Sequence, residues 1–195
     1  AYSFEALYQC NPVLRDGYFF KVGNFEIVDA APAGLRCVRW WDMAATPSGG
    51  DYTVGVKAGV SNDGAFYVLD VVRGQWATDD RNIVILNTAG KDGRHCVVGG
   101  PEDPGAAGKD ASQAFTRMLS AYSVQVKRVT GSKEMRADPY SAQVNAGNYK
   151  LVRGAWNEAF INEHRSFPNG LHDDQIDAAA DCHNYLTAAQ VWSFF

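Results

Sequence analysis

The apolar and polar positions of this chain predict a meander of strands followed by strands that alternate with helices. Residues 37–43, 52–60 and 65–73 are mainly apolar runs. A Pro-Ser-Gly-Gly-rich turn within 46–51 separates the first two, and the hairpin signal Asn62-Asp63-Gly64 separates the second from the third. Such short connections give an antiparallel meander. Beyond it, the pattern predicts a helix over 79–88, a fourth strand over 96–100, a helix over 111–121 and a fifth strand over 124–129. A Pro-tolerant helix follows near 139–146, then a short strand around 150–152, a short helix near 156–163 and an Ala-rich helix over 173–186. Strands reached through helices imply parallel crossovers. The expected fold is therefore α/β, with a five-stranded mixed sheet flanked by helices. Numbering strands as they appear, its order is 3-2-1-4-5. Residues 1–34 mix aromatics with Pro and Gly and show no sustained period. They read as a connector packing on a domain that spans 35–195.

Composition narrows the class. At 195 residues, 46% hydrophobic and 21% charged, the chain suits one globular domain with a real core. No apolar run is long enough to span a bilayer, and no basic-then-apolar leader opens the chain, so no membrane partner is expected. The first residue is Ala1, which reads as a piece excised from something longer. Cys10, Cys37, Cys96 and Cys182 are too scattered for a zinc motif and read as reduced thiols. The net charge of −4 argues against a protein that coats nucleic acid. It leaves room for a nuclease, because clustered carboxylates lower net charge where a bound metal restores positive potential.

Three acidic stations carry the chemistry. Asp42 ends the first strand, Glu102 follows the fourth, and Asp173, Asp174 and Asp177 open the last helix. In the expected sheet order the first and fourth strands are neighbours, so Asp42 and Glu102 would share one sheet edge, where loops form a crevice. Each acid alone has a plainer reading: a turn-capping Asp42, a loop Glu102, Asp173 and Asp174 as helix caps. Asp177 fits capping less well. It neighbours Asp174 at i, i+3, where like charges repel and call for a positive partner. Ala178, Ala179 and Ala180 would let this helix press on the sheet, bringing its acids toward Asp42. Together the stations point to a site for two Mg²⁺ or Mn²⁺ ions, with Asp42 as bridging ligand, that hydrolyses phosphodiesters. Lys133 and Arg136, and more weakly Lys109, are candidate contacts to DNA phosphates. His172 would orient a ligand or meet phosphate.

With these residues in place, the chain resembles the nuclease domain of the phage terminase large subunit. The likeness rests on Tyr8-Gln9-Cys10-Asn11-Pro12, Trp41-Asp42-Met43-Ala44, Gly50-Asp51-Tyr52-Thr53, residues 133–137, and Phe167-Pro168-Asn169-Gly170 running into His172-Asp173-Asp174-Gln175-Ile176-Asp177-Ala178. It covers nearly the whole chain in order. The resemblance implies a ribonuclease H-like fold and a catalytic trio of Asp42, Glu102 and Asp174. Asp173 would join them as metal ligand and Asp51 would have a supporting role. It also implies double-stranded DNA as substrate, a preceding ATPase domain, a small terminase subunit and a portal as partners, and the cytoplasm of an infected host. The Asp174-x-x-Asp177-Ala pattern is also similar to the closing acids of Holliday-junction resolvases. The rival readings are a resolvase or RNA-cleaving hydrolase on the same fold, or a docking module that no longer cleaves. Residues 105–110 lack the glycine spacing and hydroxyl of a phosphate loop, and no Gly-x-Ser-x-Gly elbow is present.

Overall fold

A computed structural model describes residues 17–44, 50 and 52–191. The sheet has seven strands rather than five. They are β1 (Glu26–Val28), β2 (Arg36–Asp42), β3 (Thr53–Val60), β4 (Phe66–Gly74), β5 (Val97–Glu102), β6 (Val124–Arg128) and β7 (Tyr149–Val152). Their spatial order is β1-β7-β4-β3-β2-β5-β6. The expected order of the five long strands holds inside it, with β2 and β5 adjacent and parallel. The two added strands extend the β4 edge. β7 pairs parallel to β4, and β1 pairs parallel to β7. β1 lies within the segment read as a connector. It is only three residues long and is defined by a partner more than a hundred positions away, so local periodicity could not reveal it.

Helices cover both faces. They are α1 (Thr78–Asp92), α2 (Ala106–Met118), α3 (Lys133–Asn145), α4 (Asn157–Ser166) and α5 (Asp174–Val191). Strand alternation sends Val38 and Trp40 to one face and Trp41 to the other. The first pair joins the larger core with Val54, Val56, Tyr140, Phe160 and Ile176, under α3, α4 and α5. Trp41 joins a smaller core with Ile85, Val98, Phe115 and Leu119, under α1 and α2. Phe20, Val22 and Phe25 plug the 17–34 segment into the larger core. α5 lies against β2 and β3, where Ala178, Ala179 and Ala180 are all buried. Helix α3 starts well before Pro139. Ser132 Oγ accepts from Met135 N at 3.3 Å, which caps the first turn. Among the described residues Cys37, Cys96 and Cys182 are buried and free, and no helix is long and apolar enough to cross a membrane. Cys10 lies outside the described residues.

Beneath α1, Arg39 is 2% exposed and reaches four acceptors. Nε stands 2.5 Å and Nη2 3.1 Å from the Asp92 carboxylate, Nη1 2.8 Å from Gly55 O, and Nη2 2.7 Å from Asp70 Oδ2. Lys57 Nζ adds a contact of 3.0 Å to Asp92.

Candidate metal centre

β2, β5 and β6 run parallel, so their C-terminal ends share one sheet edge. Asp42 stands at the end of β2, and the start of α5 is packed over it. A cavity of about 300 Å³ opens there, lined by Asp42, Asp103, Asp174, Asp177 and Asp181 among the acids and by Lys133 and Arg136 among the bases. Two of the three predicted acidic stations therefore meet.

The third is shifted by one position. Along β5 side chains alternate, so Pro101 and Asp103 line the cavity while Glu102 points to the opposite face. There its carboxylate accepts from Ser112 Oγ of α2 at 3.2 Å. The sequence expectation of Glu102 as ligand and catalytic acid is thus not matched by its placement; its neighbour Asp103 occupies that position. Gly108 lets the chain take this course: a Cβ at this position would collide with Asp103 O, so a larger residue at 108 would push the Asp103 backbone away. Asp51 lies outside the described residues. Lys109 is exposed on α2 and does not line the cavity.

The acids of α5 are held from two sides. Asp174 is 4% exposed and accepts from Tyr52 N at 3.2 Å. Glu163 of α4 accepts from Gln175 N at 2.7 Å, satisfying a backbone donor that a helix start leaves open, and from the Gln175 side chain Nε2 at 2.5 Å. Arg73 lies 3.6 Å over the Tyr52 ring, and its Nη2 is 3.7 Å from Glu163 Oε2. His172 meets the Tyr52 ring edge-on, with Nδ1 3.9 Å from Asp174 Oδ2. Sequence reasoning missed Asp181, although 174, 177 and 181 follow the i, i+3, i+7 spacing of one helix face. It also missed Tyr52, Arg73 and Glu163, whose roles depend on tertiary neighbours.

The electrostatics of this cavity are unbalanced. Burial, then the carboxylates of Asp177 and Asp174, push the Asp42 carboxyl up to about 8, against the opposing pull of Lys133 and Arg136. Burial likewise pushes Asp177 up to about 6, despite Arg136 and Lys133. The two bases are already engaged. Lys133 Nζ lies 2.6 and 2.8 Å from the two oxygens of Asp173, and Arg136 Nη2 lies 2.9 Å from Asp177 Oδ1. Two of the three candidate DNA contacts are thus ion-paired to candidate metal ligands. Among the described residues no three acids, histidines or cysteines close on one point as an ion would require. The cavity instead gathers hard oxygen donors, the kind that suits Mg²⁺ or Mn²⁺, around a carboxyl that retains its proton near neutral pH.

Comparison with known proteins agrees with this architecture. The large terminase nuclease of thermophilic phage G20c with bound magnesium has a TM-score of 0.64 and 14% identity, covering 88% of this chain and 98% of that one. The large terminase nuclease domain of Thermus phage P74-26 gives 0.62 and 14%, covering 86% and 94%. The human cytomegalovirus terminase nuclease domain, Mn-soaked and inhibitor-bound, gives 0.57 and 10%, covering 77% and 82%. At these identities the likeness establishes the fold. No curated protein sequence matches the chain. The family profile described as the terminase RNaseH-like domain matches residues 39–186, which spans β2 to α5 and includes every acid of the cavity. The chain belongs to the terminase ribonuclease H-like domain family.

Proposed function

We propose that this domain is a divalent-metal-dependent DNA endonuclease of a viral packaging terminase. It would cut concatemeric duplex DNA, with little sequence preference, using two Mg²⁺ or Mn²⁺ ions. The observation that carries this reading is geometric: Asp42 at the end of β2, Asp103 at the end of β5 and Asp174, Asp177 and Asp181 of α5 line one cavity. The donors fit a hard cation in kind, and five acids against two bases leave negative charge that the local side chains do not compensate. Asp42 and Asp174 are the principal donors, Asp103 serves from the end of β5, and Asp173 and Asp177 complete the set. Bound there, the cations would act as Lewis acids that polarise the scissile phosphate and offset the charge developing on it. The chain's own part is positional. Tyr52 N fixes the Asp174 carboxylate, Glu163 anchors the start of α5, and Lys133 and Arg136 flank the opening where a phosphate backbone would lie. The magnesium and manganese named for the phage and cytomegalovirus structures support this choice of ions. As partners we propose a preceding ATPase domain, a small terminase subunit and a portal, acting in the cytoplasm of the infected host.

The test is nicking of supercoiled plasmid in Mn²⁺. Asp42→Ala and Asp174→Ala are each expected to abolish nicking while circular dichroism remains native. Full activity in either variant would remove the catalytic assignment.

A further inference from the structure

We propose that Lys133 is a latch on the acid cluster, which metal loading opens, so that binding of metal and binding of DNA reinforce each other. The inference rests on the nuclease reading above and adds to it a coupling between its two ligands.

The latch is built from two helix starts that face each other. Lys133 and Arg136 lie at i, i+3 in the first turn of α3 and therefore project side by side. Opposite them stand Asp173 and the first turn of α5. Lys133 Nζ reaches both oxygens of Asp173, at 2.6 and 2.8 Å, and lies 3.7 Å from Asp177 Oδ2. Arg136 is 2.9 Å from Asp177 Oδ1 and 4.0 Å from Asp181 Oδ2. The backbone behind them is pinned. Ala137 and Tyr140 are fully buried, Ser132 caps the turn, and Asn184 Nδ2 donates to Arg136 O at 3.1 Å. Any opening must come from side chains.

The two bases differ in freedom. The Arg136 side chain is 15% exposed and is wedged between Asp177 and Asp181, so it stays. The Lys133 side chain is 51% exposed, a point charge on a flexible stem at the cavity mouth. A cation approaching Asp173 and Asp177 meets the Lys133 ammonium on the same oxygens, and like charges so close repel strongly. The ammonium then leaves its carboxylate for solvent, on the side from which a DNA backbone would approach. In the latched state Lys133 is neutralised by Asp173 and contributes little to phosphate binding; once released, it contributes a full charge. Linkage makes the effect reciprocal: whatever metal does for DNA affinity, DNA does for metal affinity.

The measurements are Mn²⁺ affinity by calorimetry, and affinity for a short fluorescent duplex by anisotropy with and without Ca²⁺, whose looser coordination disfavours cleavage. Lys133→Met is expected to bind Mn²⁺ about tenfold more tightly than the unaltered domain. The gain in duplex affinity on adding Ca²⁺ is expected to be at least about threefold smaller in the variant, because no latched charge remains to be released. A structural brace would instead lower the thermal midpoint and leave both affinities' coupling unchanged. If Lys133→Met loses thermal stability, Lys133→Gln repeats both measurements with a polar stem. Unchanged Mn²⁺ affinity, or an equal Ca²⁺ gain in both proteins, overturns the latch while Mn²⁺ binding that is lost in Asp174→Ala preserves the nuclease reading. Absence of any Mn²⁺ binding by the unaltered domain overturns both.

Discussion

Arg39 and Asp42 sit on the same strand, on opposite faces, and show two ways of burying charge. Arg39 is surrounded by acceptors. Burial works against its charge, yet the hydrogen bonds and charges of Asp92 and Asp70 hold the guanidinium above its ordinary value. Burial would raise Asp92 in turn, but Arg39 and Lys57 bring it below the ordinary carboxylate value of 3.8. Asp42 receives the reverse treatment. Its nearest charged neighbours on α5 are carboxylates, so burial and repulsion act together and it keeps a proton to about 8. Burial is common to both; the sign of the neighbours decides. The Arg39 network is complete by itself, whereas in the Asp42 cavity two bases face five acids, and a region of a folded protein left so short of positive charge is a candidate for a ligand that supplies it.

Four experiments would break or sharpen that contrast. The largest effect is expected at Arg39: Arg39→Met strands Asp92 as a buried, half-paired anion and should cost about 3–5 kcal/mol in chemical denaturation at pH 7. Next is Asp42→Asn, which should stabilise the metal-free domain by about 2 kcal/mol at pH 8, a figure reduced from the full shift because the carboxyl borders an open cavity. The sign follows from the raised value. A carboxyl that titrates at about 8 in the fold contributes stability that is complete below 3.8 and lost as pH rises through 8. The advantage of Asp42→Asn should therefore vanish by pH 4, and an advantage that persisted there would point to a packing effect. Asp92 has the opposite slope. Its contribution is present above 3.8 and is lost as pH falls through its lowered folded value. Third, Lys57→Met removes one of the partners of Asp92 and should cost about 1–2 kcal/mol, since Arg39 remains. Smallest is Asp70→Asn. The Asp70 side chain is 46% exposed, and the loss should stay under about 1 kcal/mol in the same denaturation assay.

The long strands and their order were legible because each is an apolar run bounded by turn chemistry, and because helix-linked strands must cross over in parallel. The 174–177 acids were legible because a helix period places them on one face. Other features needed the fold. Glu102 and Asp103 are adjacent in sequence, and only the β5 register and the contact of the Asp103 backbone with Gly108 decide which faces the cavity. The start of α3 was obscured by Pro139, a residue that favours first turns, and was set instead by Ser132 and the ion pairs to α5. The repulsion between Asp174 and Asp177 was expected to call for a positive partner, which a metal ion would supply. In the fold, Arg136 and Lys133 already answer part of that requirement at Asp177, which no spacing rule could have shown.

β1 carries a practical lesson. Its pairing with β7 is reinforced at the rim by Lys150 with Glu26 at 2.9 Å and Arg153 with Asp29 at 2.7 Å. A recombinant fragment trimmed at the turn near Pro32 would strip this ribbon away and leave β7 with a row of unanswered amide and carbonyl groups, a template for sticking to other molecules. Expression of this nuclease-like body should therefore begin upstream of Phe20, so that the aromatic plug and its protective strand travel with the sheet they seal.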